Sequence, residues 1–327
     1  MKLRWKILIG VLASVIVLIV AGATYMLTRD PPPAKIVEAG PTGRRIDREG
    51  IFGNYFPASA EEPRPAILVL GGSEGGLASD VTRQAAALQE RGYNALHLAY
   101  HNVPGKSAKL KNIPVKDFAK ALDWLKRQEG VDPERIGIIG YSKGAEAALL
   151  IATRYPGVKA IVAGMPTSVF WDGMSPESFA ISNASSTWSE DGESVPSLPY
   201  GLPGDGPGML PVFNKGLARL DRHPDAIIPV EKFKGELLLV CGEADNLWPA
   251  CPMSEQIISR AKSKGGPAVK LLRYADAGHG VMGIAVGEGD ASIRMFAQLG
   301  GTAKSNNDAR RDSWSKILAF FDQGLGQ

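Results

Sequence analysis

The sequence is poor in the features that mark several large classes of protein. Its 327 residues include only two cysteines and four histidines, and their spacing does not match a metal site. Residue 35 onward contains no internal repeat and no low-complexity stretch. The stretch GGSEGG (71–76) lacks the lysine and hydroxyl pair of a phosphate-binding P-loop, and its glycines do not match G-x-G-x-x-G. We therefore expect no metal and no organic cofactor.

The chain also has little net charge. The formal net charge is +3, and four basic residues that flank the N-terminal apolar segment account for it (Lys2, Arg4, Lys6 and Arg29). The remaining 33 basic and 34 acidic residues nearly cancel. A nucleic-acid-binding domain usually carries a basic patch, so no nucleic-acid partner is expected.

Long apolar runs are absent except at the N-terminus. Residues 7–27 carry no charge and would span about 31 Å as a helix, enough to cross a hydrocarbon core. Basic residues precede this run, which predicts a cytoplasmic N-terminus and an extracytoplasmic catalytic domain on a single-pass membrane protein. A cleaved signal peptide is the alternative, because residues 21–23 form a small-residue site. Both alternatives export the domain.

The two cysteines, Cys241 and Cys251, leave a choice open. In an exported domain they could form a disulfide that closes a short loop. The alternative is two reduced thiols, one of them at the end of a buried strand.

The remainder of the chain divides into a short linker and one domain. Residues 1–29 are the predicted anchor or signal and 30–40 the linker, followed by a domain over 41–327. Within it, short apolar runs alternate with amphipathic stretches, which predicts a mostly parallel sheet covered by helices on both faces. The predicted strands are 65–72, 94–100, 135–140, 158–164, 235–242 and 269–275; the predicted helices are 79–92, 114–130, 143–155, 252–265 and 308–323. Residues 165–220 interrupt this pattern and predict a lid-like insertion.

The central motif is Gly140-Tyr141-Ser142-Lys143-Gly144. It has the form G-x-S-x-G and lies between a predicted strand and a predicted helix, the context of the nucleophile elbow of α/β-hydrolases. Such a turn exposes the serine hydroxyl above the sheet edge. We therefore predict that Ser142 is a nucleophile and that the backbone N–H of Lys143 helps to bind an oxyanion.

A serine nucleophile needs a base and an acid that orients the base. Only His223 and His279 follow Ser142 in the chain order of this fold, and His279, with glycines on both sides directly after the last predicted strand, is the predicted base. His97 lies within a strand, which is typical of a core residue, and His101 is a possible substrate contact.

For the acid, we predict Asp245, just past the end of a strand. Three other carboxylates compete with it: Glu243, Asp276 and Asp172. The second oxyanion donor is expected from the glycine-rich stretch 71–76, where the position favours the backbone N–H of Ser73.

These segments resemble a known family. The stretch 113–152, the fragments GEADNLWP and AGH, and above all Ser-Lys-Gly-Ala-Glu at 142–146 resemble the C-terminal catalytic domain shared by acyl-CoA thioesterases and bile acid-CoA:amino acid N-acyltransferases. The resemblance covers roughly residues 50–325. It implies an α/β-hydrolase fold with Ser142 as nucleophile, Asp245 as acid and His279 as base. Acyltransferase members tend to have a cysteine as nucleophile, so the serine favours hydrolysis.

Two departures from the family weaken the inference on substrate. Thioesterase members carry an N-terminal β-sandwich domain, for which this chain has no room, and an exported enzyme would rarely meet acyl-CoA. The sequence therefore predicts a serine hydrolase acting on a small-molecule ester or thioester. The alternatives are a true acyl-CoA thioesterase or acyltransferase, and a catalytically idle, membrane-anchored binding module. The sequence does not specify the oligomeric state.

Overall fold

The structure is a computed structural model that describes residues 30–175, 184–202, 208–287 and 289–326. The predicted N-terminal segment 1–29 lies outside the described residues, as do two parts of the predicted insertion, 176–183 and 203–207. In the described ranges no helix has both the length and the hydrophobicity that crossing a membrane requires.

A twisted sheet of eight described strands forms the centre of the molecule, in the order β1-β2-β4-β3-β6-β7-β10-β11. The five pairings from β4 to β11 are parallel, and the two that involve β2 are antiparallel. The strands of this sheet are β1 (Arg44–Arg48), β2 (Ile51–Phe56), β3 (Arg64–Leu70), β4 (Asn94–Ala99), β6 (Val131–Tyr141), β7 (Val158–Gly164), β10 (Glu236–Gly242) and β11 (Val269–Tyr274). The predicted mostly parallel sheet is confirmed.

Helices cover both faces of this sheet. They are α1 (Ser79–Glu90), α2 (Val115–Lys126), α3 (Lys143–Arg154), α4 (Leu210–Leu217), α5 (Ala250–Ser263), α6 (Ala291–Ala297) and α7 (Ala303–Leu325). Alternate residues of β3 point to opposite faces: Leu68 joins the core beneath α2, α3 and α5, and Ile67 joins the core beneath α1 and α7. Period-two alternation in a strand buried on both sides produces two hydrophobic layers.

A hairpin at one edge of the sheet was not predicted from the sequence. Strands β1 and β2 pair with Arg48 opposite Ile51, which leaves Glu49 and Gly50 as a two-residue turn. Both turn residues have positive φ, 56° and 74°, as a hairpin turn with the right-handed twist requires. Because β1 is an edge strand and largely exposed, its sequence is polar. It therefore lacks the alternation of apolar residues that would have predicted a strand.

The insertion contains short elements of its own. Strand β5 (Ile113–Pro114) joins β8 (Trp188–Glu190) and β9 (Glu193–Ser194) in a separate small sheet. Three 3₁₀ turns follow α4, at Leu220–Arg222, Pro224–Ala226 and Val230–Lys232. The described parts of the insertion are therefore packed against the domain through β5.

The two cysteines are bonded to each other. Cys241 lies in β10 and Cys251 in α5, and the structure joins them in a disulfide. Of the two alternatives left open by the sequence, the structure has the disulfide.

Candidate active site

Ser142 occupies a strained turn between β6 and α3. Strand β6 ends at Tyr141 and α3 begins at Lys143, so one residue makes the reversal. The backbone of Ser142 has φ 54° and ψ −115°, a conformation that costs a non-glycine residue of order 1–3 kcal/mol. The Ser142 N–H donates to the Gly164 carbonyl at 2.9 Å, which fixes the turn to the end of β7.

The two glycines of the motif allow this turn to form. A Cβ atom on Gly140 would overlap the Gly144 carbonyl oxygen, and one on Gly144 would overlap the carbonyl oxygens of Leu70 and Gly71. Close approach of strand and helix therefore requires glycine at both positions. Because Lys143 is the first residue of α3, its N–H has no intrahelical acceptor.

Asp245 and His279 are hydrogen-bonded to each other. His279 Nδ1 lies 2.7 Å from Asp245 Oδ2, and both side chains are buried. The other carboxylate oxygen, Oδ1, accepts the N–H groups of Leu247 at 2.8 Å and Trp248 at 3.2 Å. Both carboxylate oxygens of Asp245 therefore take part in hydrogen bonds, and the loop that carries Asp245 fixes the orientation of the carboxylate.

The loop that carries His279 is fixed by backbone contacts. The His279 N–H donates to the Leu299 carbonyl at 3.2 Å, and the Gly278 N–H donates to Asn306 Oδ1 at 2.7 Å. The Nε2 atom of His279 is buried and has no hydrogen-bond partner. It forms no hydrogen bond to Ser142 Oγ; hydrogen bonds between a nucleophile and its base often tighten only when substrate binds.

The fold brings these three residues to one edge of the sheet. Ser142, Asp245 and His279 follow β6, β10 and β11 respectively, and these strands are parallel. Carboxyl ends of parallel strands meet at the same edge.

The three competing carboxylates have surroundings that differ from those of Asp245. Glu243 pairs with Arg273, Asp276 is exposed, and Asp172 accepts the Ser197 hydroxyl. None of these three provides the oxygen that contacts His279 Nδ1, which belongs to Asp245.

Ser73 lies in a loop held by several side-chain contacts. The Tyr100 hydroxyl donates to the carbonyls of Gly71 and Gly72 at 2.8 and 3.0 Å. The Gly72 N–H donates to Glu74 Oε1 at 2.9 Å, so it is already occupied. Ser73 itself is exposed, and its role as an oxyanion donor stays a prediction.

A buried ion pair directly after Ser142 was not predicted from the sequence. Lys143 Nζ lies 2.9 Å from Glu146 Oε2 and 2.8 Å from the Thr187 hydroxyl. Glu146 Oε1 accepts the Trp171 N–H at 3.0 Å and the Trp188 Nε1–H at 2.8 Å. Burial lowers the pKa of Lys143 and raises the pKa of Glu146, and the ion pair opposes both shifts. Because Thr187 and the two tryptophans belong to the insertion, this pair joins the elbow to the insertion.

Aromatic rings also connect the insertion to His279. The ring centroids of Trp171 and Phe213 are 5.0 Å apart, those of Phe213 and Trp248 5.4 Å, and those of Trp248 and His279 5.7 Å. These edge-to-face contacts pack one side of the imidazole. No periodic pattern predicts these contacts, because the rings come from separate loops and α4.

The other histidines have different surroundings. His97 is buried in β4, its Nδ1 lies 2.9 Å from the Thr82 hydroxyl, and burial lowers its pKa to about 3. His101 is buried at the border of a cavity next to Ser73. His223 is half-buried between two 3₁₀ turns. Across the described ranges, no cluster of three or more His, Cys, Asp or Glu side chains could hold a metal ion.

Comparison with a family model places this chain among known proteins. The model described as BAAT / Acyl-CoA thioester hydrolase C terminal matches residues 113–327. A mouse protein named peroxisomal succinyl-coenzyme A thioesterase is 26% identical over 300 residues, covering 88% of this chain and 66% of that protein. Human mitochondrial acyl-coenzyme A thioesterase 2 is 24% identical over 84% of this chain and 56% of its own length.

A mouse acyl-coenzyme A amino acid N-acyltransferase 1 is 25% identical over 89% of this chain and 67% of its own. The chain thus spans between about half and two thirds of the length of these relatives.

Solved structures are similar in fold. A dienelactone hydrolase from Klebsiella pneumoniae superposes with a TM-score of 0.54 at 17% identity, over 86% of this chain and 97% of that one. A puromycin-hydrolyzing peptidase from Mycobacterium tuberculosis superposes with a TM-score of 0.56 at 17% identity, over 87% of this chain and 39% of that one. Together with the observed sheet, these similarities confirm the predicted α/β-hydrolase fold.

The predicted localisation is wrong by these comparisons. Two relatives are named as peroxisomal and mitochondrial enzymes, against the expected single-pass membrane protein with an extracytoplasmic catalytic domain. The prediction depended on the hydropathy of residues 7–27 alone. Hydropathy indicates whether a segment could cross a bilayer, but it does not establish that the segment does so.

Proposed function

Because the chain belongs to the BAAT / acyl-CoA thioester hydrolase C-terminal family, we propose that it is a serine hydrolase of esters or thioesters that works through an acyl-enzyme. The observation that carries the proposal is the 2.7 Å contact between His279 Nδ1 and Asp245 Oδ2, at the sheet edge where the strained turn presents Ser142. A buried, oriented imidazole with an unpartnered Nε2 is the base that a serine nucleophile requires.

In the proposed first step, Ser142 Oγ attacks the substrate carbonyl carbon while His279 Nε2 takes the hydroxyl proton. The oxyanion is bound by the N–H of Lys143, at the positive end of α3, and by the N–H of Ser73. Collapse of this intermediate breaks the bond to the alcohol or thiol, which leaves with the proton from His279.

In the proposed second step, water attacks the acyl-Ser142 ester. His279 accepts the proton of the water and returns it to Ser142 Oγ as the acid leaves. Asp245 stays ionised throughout, because it stabilises the imidazolium that forms in each half-reaction and holds the ring in one tautomer. No step requires a metal or an organic cofactor.

CoA thioesters are the first substrates to test, because relatives are named as acyl-CoA thioesterases and as an acyl-CoA amino acid N-acyltransferase. If an amine rather than water attacked the acyl-enzyme, the same site would transfer the acyl group instead of hydrolysing it. Product analysis with and without glycine separates hydrolysis from transfer.

The experiment is a substrate panel of acyl-CoAs and 4-nitrophenyl esters with wild type, Ser142→Ala and Ser263→Ala. We expect Ser142→Ala to lower kcat on the order of 10⁶-fold. Ser263 is an exposed serine near the end of α5, and its substitution should leave kcat unchanged. Inertness of the folded wild type towards every ester would instead favour a binding module on the same fold.

A further inference from the structure

A cavity of about 490 Å³ opens beside the loop that carries Ser73. Ser73, Glu74 and His101 form one side of it, and the proline stretch 31–33 forms another. The Asn102 side chain donates to the Pro32 carbonyl at 3.0 Å, and the Leu77 N–H donates to the Lys35 carbonyl at 2.8 Å. These hydrogen bonds hold the proline stretch and Lys35, which follows it, in place at the edge of the cavity.

The Glu74 carboxylate connects this cavity to the nucleophile. A Cβ atom placed on Gly72 would lie 2.8 Å from Glu74 Oε2 and 3.3 Å from Ser142 Cβ. The Glu74 carboxylate and the Ser142 side chain therefore both lie next to Gly72. Among the described residues, this carboxylate accepts hydrogen bonds from two backbone groups, the Gly72 N–H at Oε1 and the N–H of Glu74 itself.

Glu74 lacks a partner of opposite charge. Within the described ranges no lysine or arginine forms an ion pair with it, and its one favourable charge is that of His279 when protonated. The residue as a whole is exposed, but its carboxyl end lies against the backbone of Gly72. Desolvation there raises the pKa of the carboxyl group, a cost that a bound cation would offset.

His101 adds a second acceptor. Its side chain is buried, and burial lowers its pKa to about 4, so the ring is neutral near pH 7. The ring hydrogen-bonds the backbone of Ser73, whereas its Nδ1 has no partner. A neutral imidazole that donates through one nitrogen has an acceptor at the other.

The lining of the cavity carries charges of both signs besides Glu74. Asp30 adds a second carboxylate, and Lys109 adds an ammonium that makes a contact of its own. Apolar side chains such as Leu110 and Met174 complete the wall. The cavity thus combines acceptor groups with an apolar wall that an alkyl chain could contact.

We propose that this cavity is a substrate subsite for a positively charged ammonium group, with Glu74 as its specificity-determining residue. This inference depends on the proposed hydrolase function, since it assigns the substrate class of the same site. The ammonium could be carried by the acyl chain or by the leaving group, and both would meet the same acceptors.

The test compares kcat/KM for two matched substrate pairs. On the acyl side, the 4-nitrophenyl ester of β-alanine is compared with that of butanoate, which has a methyl group in place of the ammonium. On the leaving-group side, butyrylthiocholine is compared with its neutral 3,3-dimethylbutyl thioester. We expect the wild type to prefer the cation in one pair by about tenfold or more. The β-alanine ammonium can donate a charge-assisted hydrogen bond to Glu74, whereas the trimethylammonium group of thiocholine offers its charge alone.

Glu74→Gln removes the charge but keeps an oxygen for the Gly72 N–H. We expect it to abolish the cation preference, whereas Glu90→Gln, which removes an exposed carboxylate at the end of α1, should leave the preference unchanged. Equal cation-to-neutral ratios in wild type and Glu74→Gln for both pairs would overturn the proposal, as would a wild-type preference for the neutral member of both.

Calorimetry distinguishes failure of the subsite proposal from failure of the proposed hydrolase function. If no neutral ester is cleaved, the subsite is judged by calorimetry with β-alaninamide and butanamide. Tighter binding of the cationic amide to wild type than to Glu74→Gln would support the subsite. Equal binding of the two amides by both proteins would refute it.

Discussion

At the scale of single residues, the strained turn at Ser142, our proposed nucleophile, was predictable because its geometry has a sequence signature. A turn this tight requires glycine at 140 and 144, where any Cβ would overlap backbone. Those two glycines, placed between an apolar strand and a helix, therefore specify the position of Ser142. His279 was selected as the proposed base because few histidines follow Ser142, and the structure places its ring against Asp245.

Other residues of the site could not be predicted. The commitment of Asp245 Oδ1 to the Leu247 and Trp248 N–H groups depends on the path of one loop. The proposed role of Glu74 depends on the chain folding its carboxyl end back onto Gly72. A sequence gives the presence of such groups but not the direction in which they point.

Asp245→Asn tests the orientation of the base. Asparagine can keep an acceptor for the loop N–H groups, but its amide cannot stabilise the imidazolium and favours the wrong tautomer of His279. We expect kcat to fall by about 10⁴-fold with little change in KM. Steady-state kinetics on the best ester measures this, with Asp276→Asn as the control because Asp276 is exposed and near His279 in sequence. Equal kinetics for Asp245→Asn and wild type would exclude Asp245 as the acid.

At the scale of elements, the order of strands and helices was predicted well because buried parallel strands are short apolar runs separated by amphipathic helices. The edge hairpin was missed because β1 is largely exposed and polar. The insertion was expected to be a lid. Its described parts contain α4 and two strands of the small sheet, β8 and β9, and buried rings such as Trp171, Trp188 and Phe213 pack it against the domain. These contacts are irregular, so no periodic pattern could reveal them.

The ion pair between α3 and the insertion leads to a prediction of stability. Lys143→Met leaves Glu146 as a buried carboxylate without its cation, which should lower the free energy of unfolding by about 3–5 kcal/mol. The double variant Lys143→Met/Glu146→Gln removes the unpaired charge. It also keeps an oxygen for the Trp171 and Trp188 donors, which both contact Oε1.

We therefore expect the double variant to recover more than half of the lost stability in urea denaturation at pH 7. A double variant no more stable than Lys143→Met would mean that the charge of Glu146 is not the source of the loss.

At the scale of the whole molecule, the alternation of elements predicted the mostly parallel sheet, and the resemblance to the thioesterase family implied the α/β-hydrolase fold. The localisation was not predicted correctly. Relatives named as peroxisomal and mitochondrial enzymes contradict a localisation inferred from one apolar run. Fold is encoded throughout the domain by burial and periodicity. Localisation depends on how a cell handles one short segment, and hydropathy does not specify that handling.

Stability should fall in acid because of a buried histidine. Burial lowers the folded-state pKa of His97 to about 3, while an exposed histidine in the unfolded chain titrates near 6.5. Between these values the unfolded chain binds a proton that the folded protein does not, so lowering the pH favours unfolding. Each pH unit below 6.5 costs about 1.4 kcal/mol, a loss that ends near the folded-state value.

His97→Gln should lack this contribution. Between pH 7 and pH 4.5, we expect the free energy of unfolding of wild type to fall by about 2–3 kcal/mol more than that of the variant. Urea titrations at the two pH values measure the difference. If the free energy of unfolding fell equally in wild type and in His97→Gln, His97 would take up its proton in the folded protein without unfolding it.

The central claim is that Ser142 is the activated nucleophile of this fold, and covalent labelling tests it most directly. The folded wild type is treated with a fluorophosphonate, digested and mapped by mass spectrometry. We expect one adduct, on the peptide that contains Ser142, with loss of labelling in Ser142→Ala and sharply slower labelling in a His279→Gln variant. Labelling that persists in Ser142→Ala, or a folded wild type that does not react, would contradict the account.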